Sequence, residues 1–298
     1  FSSELLKNVW QDNEILSRCR KYPLGDRSNG IKIPGLDETS RVDGSRAGGI
    51  QSYWLEEAGL ITPSKPAFRM INLQLKKLVT LCYLTSELME DVSALETYVN
   101  EAMKAELDFK LADAVISGSG AGMPLGIKNA GSMITVNKEA GQAADTILFE
   151  NVLSCWARLM PGSRKNAVWL VNQNCLPALA QMSIGIGTAG SAVYLPAGGA
   201  AVQPYSSLFG RPVLECEHCS TLGTAGDIIL ADFTGGYVCI DRAARFDSSM
   251  HLRFLYDEEI LRGIVRFSGQ PVLASAITPF ASGATDTLSH FIQIEDRT

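Results

Sequence analysis

Over residues 1–24 helix formers alternate with charges, no sustained apolar face develops, and Pro23 closes the stretch. This reads as an N-terminal arm with one short helix. From Gly25 onward the pattern breaks down. Glycines at 25, 30, 35, 44, 48, 49 and 59 and prolines at 34, 63 and 66 interrupt a run with charges of both signs. Connections inside compact domains are mostly short, so such a run is unusual. It is either a loop without regular structure or a long two-stranded excursion. In the second case Ile31, Ile33, Tyr53 and Trp54 pack on something outside the subunit.

Periodicity returns at Phe68–Leu84, where loose alternation of branched residues predicts strand. Between Ala94 and Ile116, Leu95, Val99, Met103, Leu107, Leu111 and Val115 fall at i, i+4 spacing, with Glu96, Asn100, Glu101, Lys104, Asp108 and Lys110 on the other side. Asp91 or Ser93 caps this helix and Gly118 ends it, which makes it about 35 Å long. A second helix is expected from Asp145 or Thr146 to Met160, stopped by Pro161. A buried strand at Val168–Val171 and a short helix at Asn174–Met182 come next. Strands are then expected at Val193–Leu195, Pro212–Cys216, Ile228–Ala231 and Tyr237–Ile240. Leu261–Thr278 reads as a long strand or hairpin broken at Gly269. This mixture predicts an α+β fold.

Composition narrows the function classes. The chain has 298 residues, 46% hydrophobic and 19% charged, too apolar for a disordered polymer. Its net charge of −6 argues against a general nucleic-acid binder, which needs concentrated positive charge. Seven cysteines, an odd number, argue against a secreted disulfide framework. The run from Asn166 to Arg211 is uncharged until Arg211, but prolines, amides and glycines keep it short of the roughly 18 apolar residues a spanning helix needs. Phe267–Thr285 fails likewise, and Phe1–Lys7 holds two charges with no apolar core behind it, unlike a signal peptide. No membrane partner is expected.

Several motifs look chemical. Gly185-Ile-Gly-Thr-Ala-Gly190 matches the dinucleotide fingerprint by spacing, but that fingerprint needs a strand before the glycines and a helix after them. Here a helix precedes and a strand is expected to follow, so a surface loop is the better reading. Gly118-x-Gly-x-Gly122 lacks the Gly-Lys-Ser/Thr of a phosphate loop and serves to stop the helix. Cys216-Glu-His-Cys219 has metal-ligand spacing, and Cys239 and His251 would have to complete a tetrahedral zinc site. Two buried thiols at a strand end are the plainer account. His218, His251 and His290 belong to no paired motif, and Asp257-Glu-Glu259 reads as a solvated acidic turn. No catalytic, cofactor-binding or metal-binding residues and no cofactor are therefore assigned.

Five segments in order resemble the major capsid proteins of tailed bacteriophages. They are Gly118–Ile127 with the helix before it, Val168–Leu179, Leu208–Val213, Gly226–Phe233 with Tyr237–Arg242, and Asp257–Val272. The resemblance implies the tailed-phage capsid fold, which encapsulin shells share. Its parts would be an N-terminal arm at 1–24, an extended loop at 25–67 and a peripheral domain at 68–167 with its spine helix at 93–117. An axial domain at 168–240 and a return to the peripheral domain at 241–298 would follow. It also implies a structural, non-enzymatic protein that assembles with itself as pentamers and hexamers into an icosahedral head around double-stranded DNA. Portal, scaffolding, maturation protease and decoration proteins would be its partners. The location would be the virion, assembled in the bacterial host cytoplasm. Proteolytic maturation would account for a chain beginning at Phe1. An encapsulin-like nanocompartment shell and, more remotely, a nucleotide-dependent enzyme using Gly185–Gly190 are the alternatives. Some members weld neighbouring subunits by an isopeptide bond between a loop lysine and an asparagine, with a glutamate as base. Lys32, Lys65 and Glu258 or Glu259 fit, yet no asparagine occurs after Asn174. A shell without such bonds is expected.

Overall fold

The computed structural model describes residues 14–25, 28–85, 95–186, 189–192, 207–253, 256–281 and 286–297. The elements in chain order begin with α1 (Glu14–Arg18), β1 (Arg20–Lys21), β2 (Gly30–Leu36), β3 (Phe68–Gln74), β4 (Lys76–Thr85) and α2 (Leu95–Ser117). Next are β5 (Met133–Val136), α3 (Phe149–Arg158), β6 (Val168–Val171), α4 (Leu176–Gln181), β7 (Ser183–Ile186), β8 (Ala189–Ala192) and β9 (Ser207–Leu208). The chain finishes with β10 (Arg211–Glu215), β11 (Ile228–Ala231), α5 (Phe233–Gly236), β12 (Tyr237–Arg253), β13 (Glu258–Pro271) and β14 (Phe291–Ile294). This is a mixed α+β architecture.

Two compact units form. The described parts of Phe1–Ile31, Asn72–Gly126 and Cys239–Gln270 make one, and those of Lys32–Ile71, Ile127–Val238 and Pro271–Thr298 the other. The sequence reading groups 127–167 and 271–298 with the long helix. In the structure they join the second unit instead, because β5 and β14 are strands of its sheet.

In the first unit the sheet order is β1-β12-β13-β4. On α2 the predicted stripe is buried at Val99, Met103, Leu107, Leu111 and Val115. Val99 and Met103 pack with Leu261 of β13, flanked by Cys82, Leu84, Tyr98 and Phe246. Gly263 allows this close approach, since a Cβ there would lie 2.9 Å from both Phe246 and Thr80 and 3.3 Å from Leu107. The helix ends as expected at Gly118, where a Cβ would sit 2.3 Å from the carbonyl oxygens of Ala114 and Pro124. Its expected caps, Asp91 and Ser93, lie outside the described residues, as do most of the N-terminal arm and the expected strand Val193–Leu195.

β12 runs to Arg253, well past the Ile240 that the pattern suggests. Its second half carries exposed charges, which hide the alternation but pair across the sheet: Arg262 donates to Asp247 at 2.8 Å. β13 passes through Gly269 unbroken, whose carbonyl accepts from the Leu125 amide at 3.0 Å, and stops at Pro271, which has no N–H to donate.

The second unit is built on a six-stranded mixed sheet of order β5-β14-β11-β6-β10-β9. β6 pairs parallel with β10 and antiparallel with β11, and β14 is antiparallel to β11 and parallel to β5. All four residues of β6 and of β11 are buried, so both read as unbroken apolar runs. Trp169 is wholly enclosed, its indole N–H donating to the Leu208 carbonyl at 3.0 Å. The helix expected from Asp145 or Thr146 begins only at Phe149. The Thr146 carbonyl is occupied elsewhere, accepting from Gln142 and Arg297 at 2.9 Å each. It stops at Arg158 because the chain then bridges to Ser289, with the Met160 amide donating to the Ser289 carbonyl at 3.0 Å.

Asp227 and Arg297 are both buried and form an ion pair at the head of β11. The Asp227 carboxylate also accepts from the amides of Gly223 at 3.1 Å and Ile228 at 2.8 Å. Arg297 further donates to the carbonyls of Thr146 and of Glu295, the latter at 3.3 Å. Removing one partner leaves an uncompensated buried charge. Arg297→Ala is expected to cost about 3–5 kcal/mol in urea unfolding of the isolated chain. Replacing both residues by apolar side chains is expected to cost less than the single change. A single-variant loss below about 1 kcal/mol would show that the pair is not what clamps the C-terminal segment.

Candidate functional site

The extended loop is anchored at its base and bare at its tip. β2 and β3 form a two-stranded sheet. Beyond it the Arg41 amide donates to the Thr278 carbonyl at 2.8 Å, and the Thr278 amide to the Thr39 carbonyl at 3.0 Å. Ser45 donates to the Asp43 carboxylate from both its amide (3.0 Å) and its hydroxyl (2.7 Å). Those donors hold the Asp43 carboxyl below its usual range. Gln51 donates from its amide to Ser64 at 3.2 Å and from its side chain to the Asp43 carbonyl at 3.1 Å.

Past this clamp nearly every residue from 52 to 65 is exposed. Trp54 is 104% exposed, Leu60 89% and Ile61 76%, with Tyr53 and Leu55 about half exposed alongside. Apolar surface of this extent on one segment marks an interaction site. Of the four residues singled out from sequence, Tyr53 and Trp54 stand out in solvent and Ile31 and Ile33 are half-buried in β2. Sequence reasoning misses Leu60 and Ile61, although they sit just before Pro63 with no partner in the pattern.

The suspected chemical motifs resolve differently. Ser183–Ile186 and Ala189–Ala192 pair as antiparallel strands with Gly185 opposite Gly190, so the described flanks of the glycine motif are strand and not the surface loop expected. Among the described residues no strand-to-helix turn follows these glycines to cradle a pyrophosphate. Cys216 and Cys219 lie in the second unit, Cys239 and His251 in the first. The Cys239 thiol donates to the Arg20 carbonyl at 3.6 Å and that of Cys19 to the Ile15 carbonyl at 3.3 Å. Among the described residues no three His, Cys, Asp or Glu side chains are grouped to hold a metal. Glu258 and Glu259 start β13 opposite Thr85 and Leu84. A cavity of about 190 Å³ beside α2 is lined by Lys76, Lys77, Lys110, Leu111, Met123 and Phe267 among others. It is smaller than the roughly 300–1,000 Å³ of ordinary ligand pockets. No described helix is long and apolar enough to cross a membrane.

One trio leaves no mark in the sequence because its members are far apart. Ser163 Oγ lies 2.6 Å from His290 Nδ1, and Asp232 lies 3.9 Å from the same nitrogen. A nucleophilic triad needs the serine on one ring nitrogen and the acid on the other. Both groups here face Nδ1, and Asp232 is engaged in capping α5 through the Gly235 amide at 3.1 Å. The geometry gives the trio a packing role.

Burial pushes the His290 imidazole below its ordinary pKa, against the opposing pull of Asp232. The folded chain thus refuses a proton that the unfolded chain accepts near pH 6.5. Stability is full above that value and is lost as the pH falls below it. Urea midpoints between pH 8 and pH 5 are expected to decline more steeply for the native sequence than for His290→Gln. Equal slopes would overturn the assignment.

Comparison with known proteins completes the picture. The profile of the phage capsid family matches residues 1–281. No match is found among curated proteins. Among solved structures, the capsid of an empty GTA particle, computed with C5 symmetry, is similar at a TM-score of 0.76 and 17% identity, covering 100% of this chain and 95% of that one. A chain from Gordonia phage Cozz is similar at 0.68 and 13% identity, covering 100% and 90%. One from Mycobacterium phage Adephagia is similar at 0.65 and 16% identity, covering 100% and 94%. These likenesses concern the fold. The profile spans nearly the whole chain, and on that ground the chain belongs to the phage capsid family and is a structural protein of the capsid.

Proposed function

We propose that this chain closes, as pentamers and hexamers of itself, into the icosahedral head that encloses packaged double-stranded DNA. The exposed apolar tip of the extended loop carries this reading, because a single copy leaves Trp54, Leu60 and Ile61 in water. Burying a large apolar side chain releases about 1.5–3 kcal/mol, and a neighbouring copy supplies the cover repeatedly around a shell. The five-fold symmetry with which the GTA capsid was computed agrees with the pentamers. The first unit then serves as the peripheral domain, with α2 as its spine. The segment 168–240 serves around the capsomer axes, where its uncharged run up to Arg211 avoids repeated like charge. Portal, scaffolding, maturation protease and decoration proteins are the expected partners, with assembly in the host cytoplasm and function in the virion. Particles recovered from expressing cells should contain double-stranded DNA when the packaging machinery is present. Particles filled instead with one protein cargo would favour a nanocompartment shell.

Trp54→Ala separates assembly from folding. The unfolding midpoint of the isolated chain should stay within about 0.5 kcal/mol of the parent, as for other exposed positions. Loss of a buried aromatic anchor at each contact should cost about 2 kcal/mol or more, raising the concentration needed for assembly about 30-fold or more. Normal particle yield from the variant would remove the loop tip from the interface.

The shell is held by non-covalent contacts or accessory proteins, with Lys32 and Lys65 serving in solvation or ion pairs. The support is chemical. An isopeptide bond needs an amide whose ammonia leaves as the lysine amine attacks, and no asparagine follows Asn174. Mature particles boiled in denaturant and run on a reducing gel should give a single band near 32.2 kDa. A ladder of multimers would sink the idea.

A further inference from the structure

The Cys216-Glu-His-Cys219 motif remains unused by the capsid reading, and its local geometry is well defined. The Cys219 amide donates to the Cys216 carbonyl at 3.3 Å, which closes a four-residue turn between β10 and β11. Such a turn brings its first and fourth Cα atoms within about 7 Å, and disulfides span Cα separations of about 4.4–6.8 Å. Both ends are fixed. The Cys216 amide donates to the Val171 carbonyl at 2.9 Å, and the Asn172 side chain donates to the Cys219 carbonyl at 2.8 Å. The two thiols are free and buried. Glu217 at the tip of the turn is exposed.

We propose that Cys216 and Cys219 are a dithiol modification site that reacts with small-molecule disulfides and closes reversibly into a turn disulfide.

The hydrogen bond from Cys219 holds the Cys216 thiol below its ordinary pKa and pushes that of Cys219 up. Cys216, which adjoins the exposed Glu217 at the tip of the turn, is assigned the attacking role. It displaces one thiolate from the small disulfide and forms a mixed disulfide. Cys219 then gives its proton to solvent, and its sulfur attacks Cys216 Sγ, expelling the second small thiolate. The protein dithiol loses two electrons, and the small disulfide gains them as two thiols. The closed turn sits directly after β10, against the end of β6, through the bonds from Cys216 to Val171 and from Asn172 to Cys219.

The test uses the full chain treated with oxidised glutathione, quenched in acid, alkylated in denaturant and mapped by mass spectrometry. A Cys216–Cys219 linkage is expected, with alkylation lost at both positions, kept at Cys155, and restored by dithiothreitol. Cys219→Ser should trap glutathione on Cys216, while Cys216→Ser should leave Cys219 open to alkylation. The native-sequence map decides the matter even where a variant fails to fold. Unchanged alkylation of both thiols, glutathione persisting on Cys216 beside a free Cys219, or a bridge to Cys175 would each overturn the proposal.

Discussion

A guanidinium and a carboxylate withdrawn from water govern the larger unit. Neither charge is tolerable alone, so Asp227 and Arg297 must meet, and their remaining hydrogen-bonding capacity must also be filled. Gly223, Ile228, Thr146 and Glu295 fill it. Segments distant in sequence are thereby fixed around one point, and β14 is delivered to its place between β5 and β11. The apolar core of Trp169, Leu230, Ile292 and their neighbours supplies the bulk of the attraction but little direction. The ion pair supplies direction.

The smaller unit obeys a different constraint, close approach of helix and sheet. Gly263 removes a side chain where Leu107 comes down, and Gly118 lets the chain turn back beside Ala114 and Pro124. A long helix laid against a sheet needs such gaps, since packed interiors admit few voids and no overlap.

Elements with simple periodicity are legible from residue order alone. The stripe from Val99 to Val115 and the runs Val168–Val171 and Ile228–Ala231 are all readable, because burial on one face or on both leaves a plain mark. The second half of β12 is not, since Arg245 and Asp247 face water and obscure alternation that cross-strand pairing sustains. The start of α3 escapes local reading for another reason. Thr146, a good cap by type, has its carbonyl committed to Arg297, which no local pattern reveals. The tip of the loop is half visible. Tyr53 and Trp54 announce themselves as aromatics in a polar context, whereas Leu60 and Ile61 look like any apolar pair until their exposure is known. The trio of Ser163, Asp232 and His290 depends wholly on tertiary folding, and its single shared nitrogen is visible only in three dimensions.

The clamp at the loop's base also bears on the entropy of association. Ordering a backbone residue costs about 1–2 kcal/mol, and an interface that must order a long segment loses much of its gain that way. Here the bonds from Arg41 to Thr278 and from Ser45 and Gln51 to Asp43 settle the base while the chain folds. A docking partner meets a segment whose root is already aimed, so less conformational freedom remains to be surrendered at the moment of contact. Subunit joining can then be specific without paying the full entropy of ordering the loop at the moment of contact.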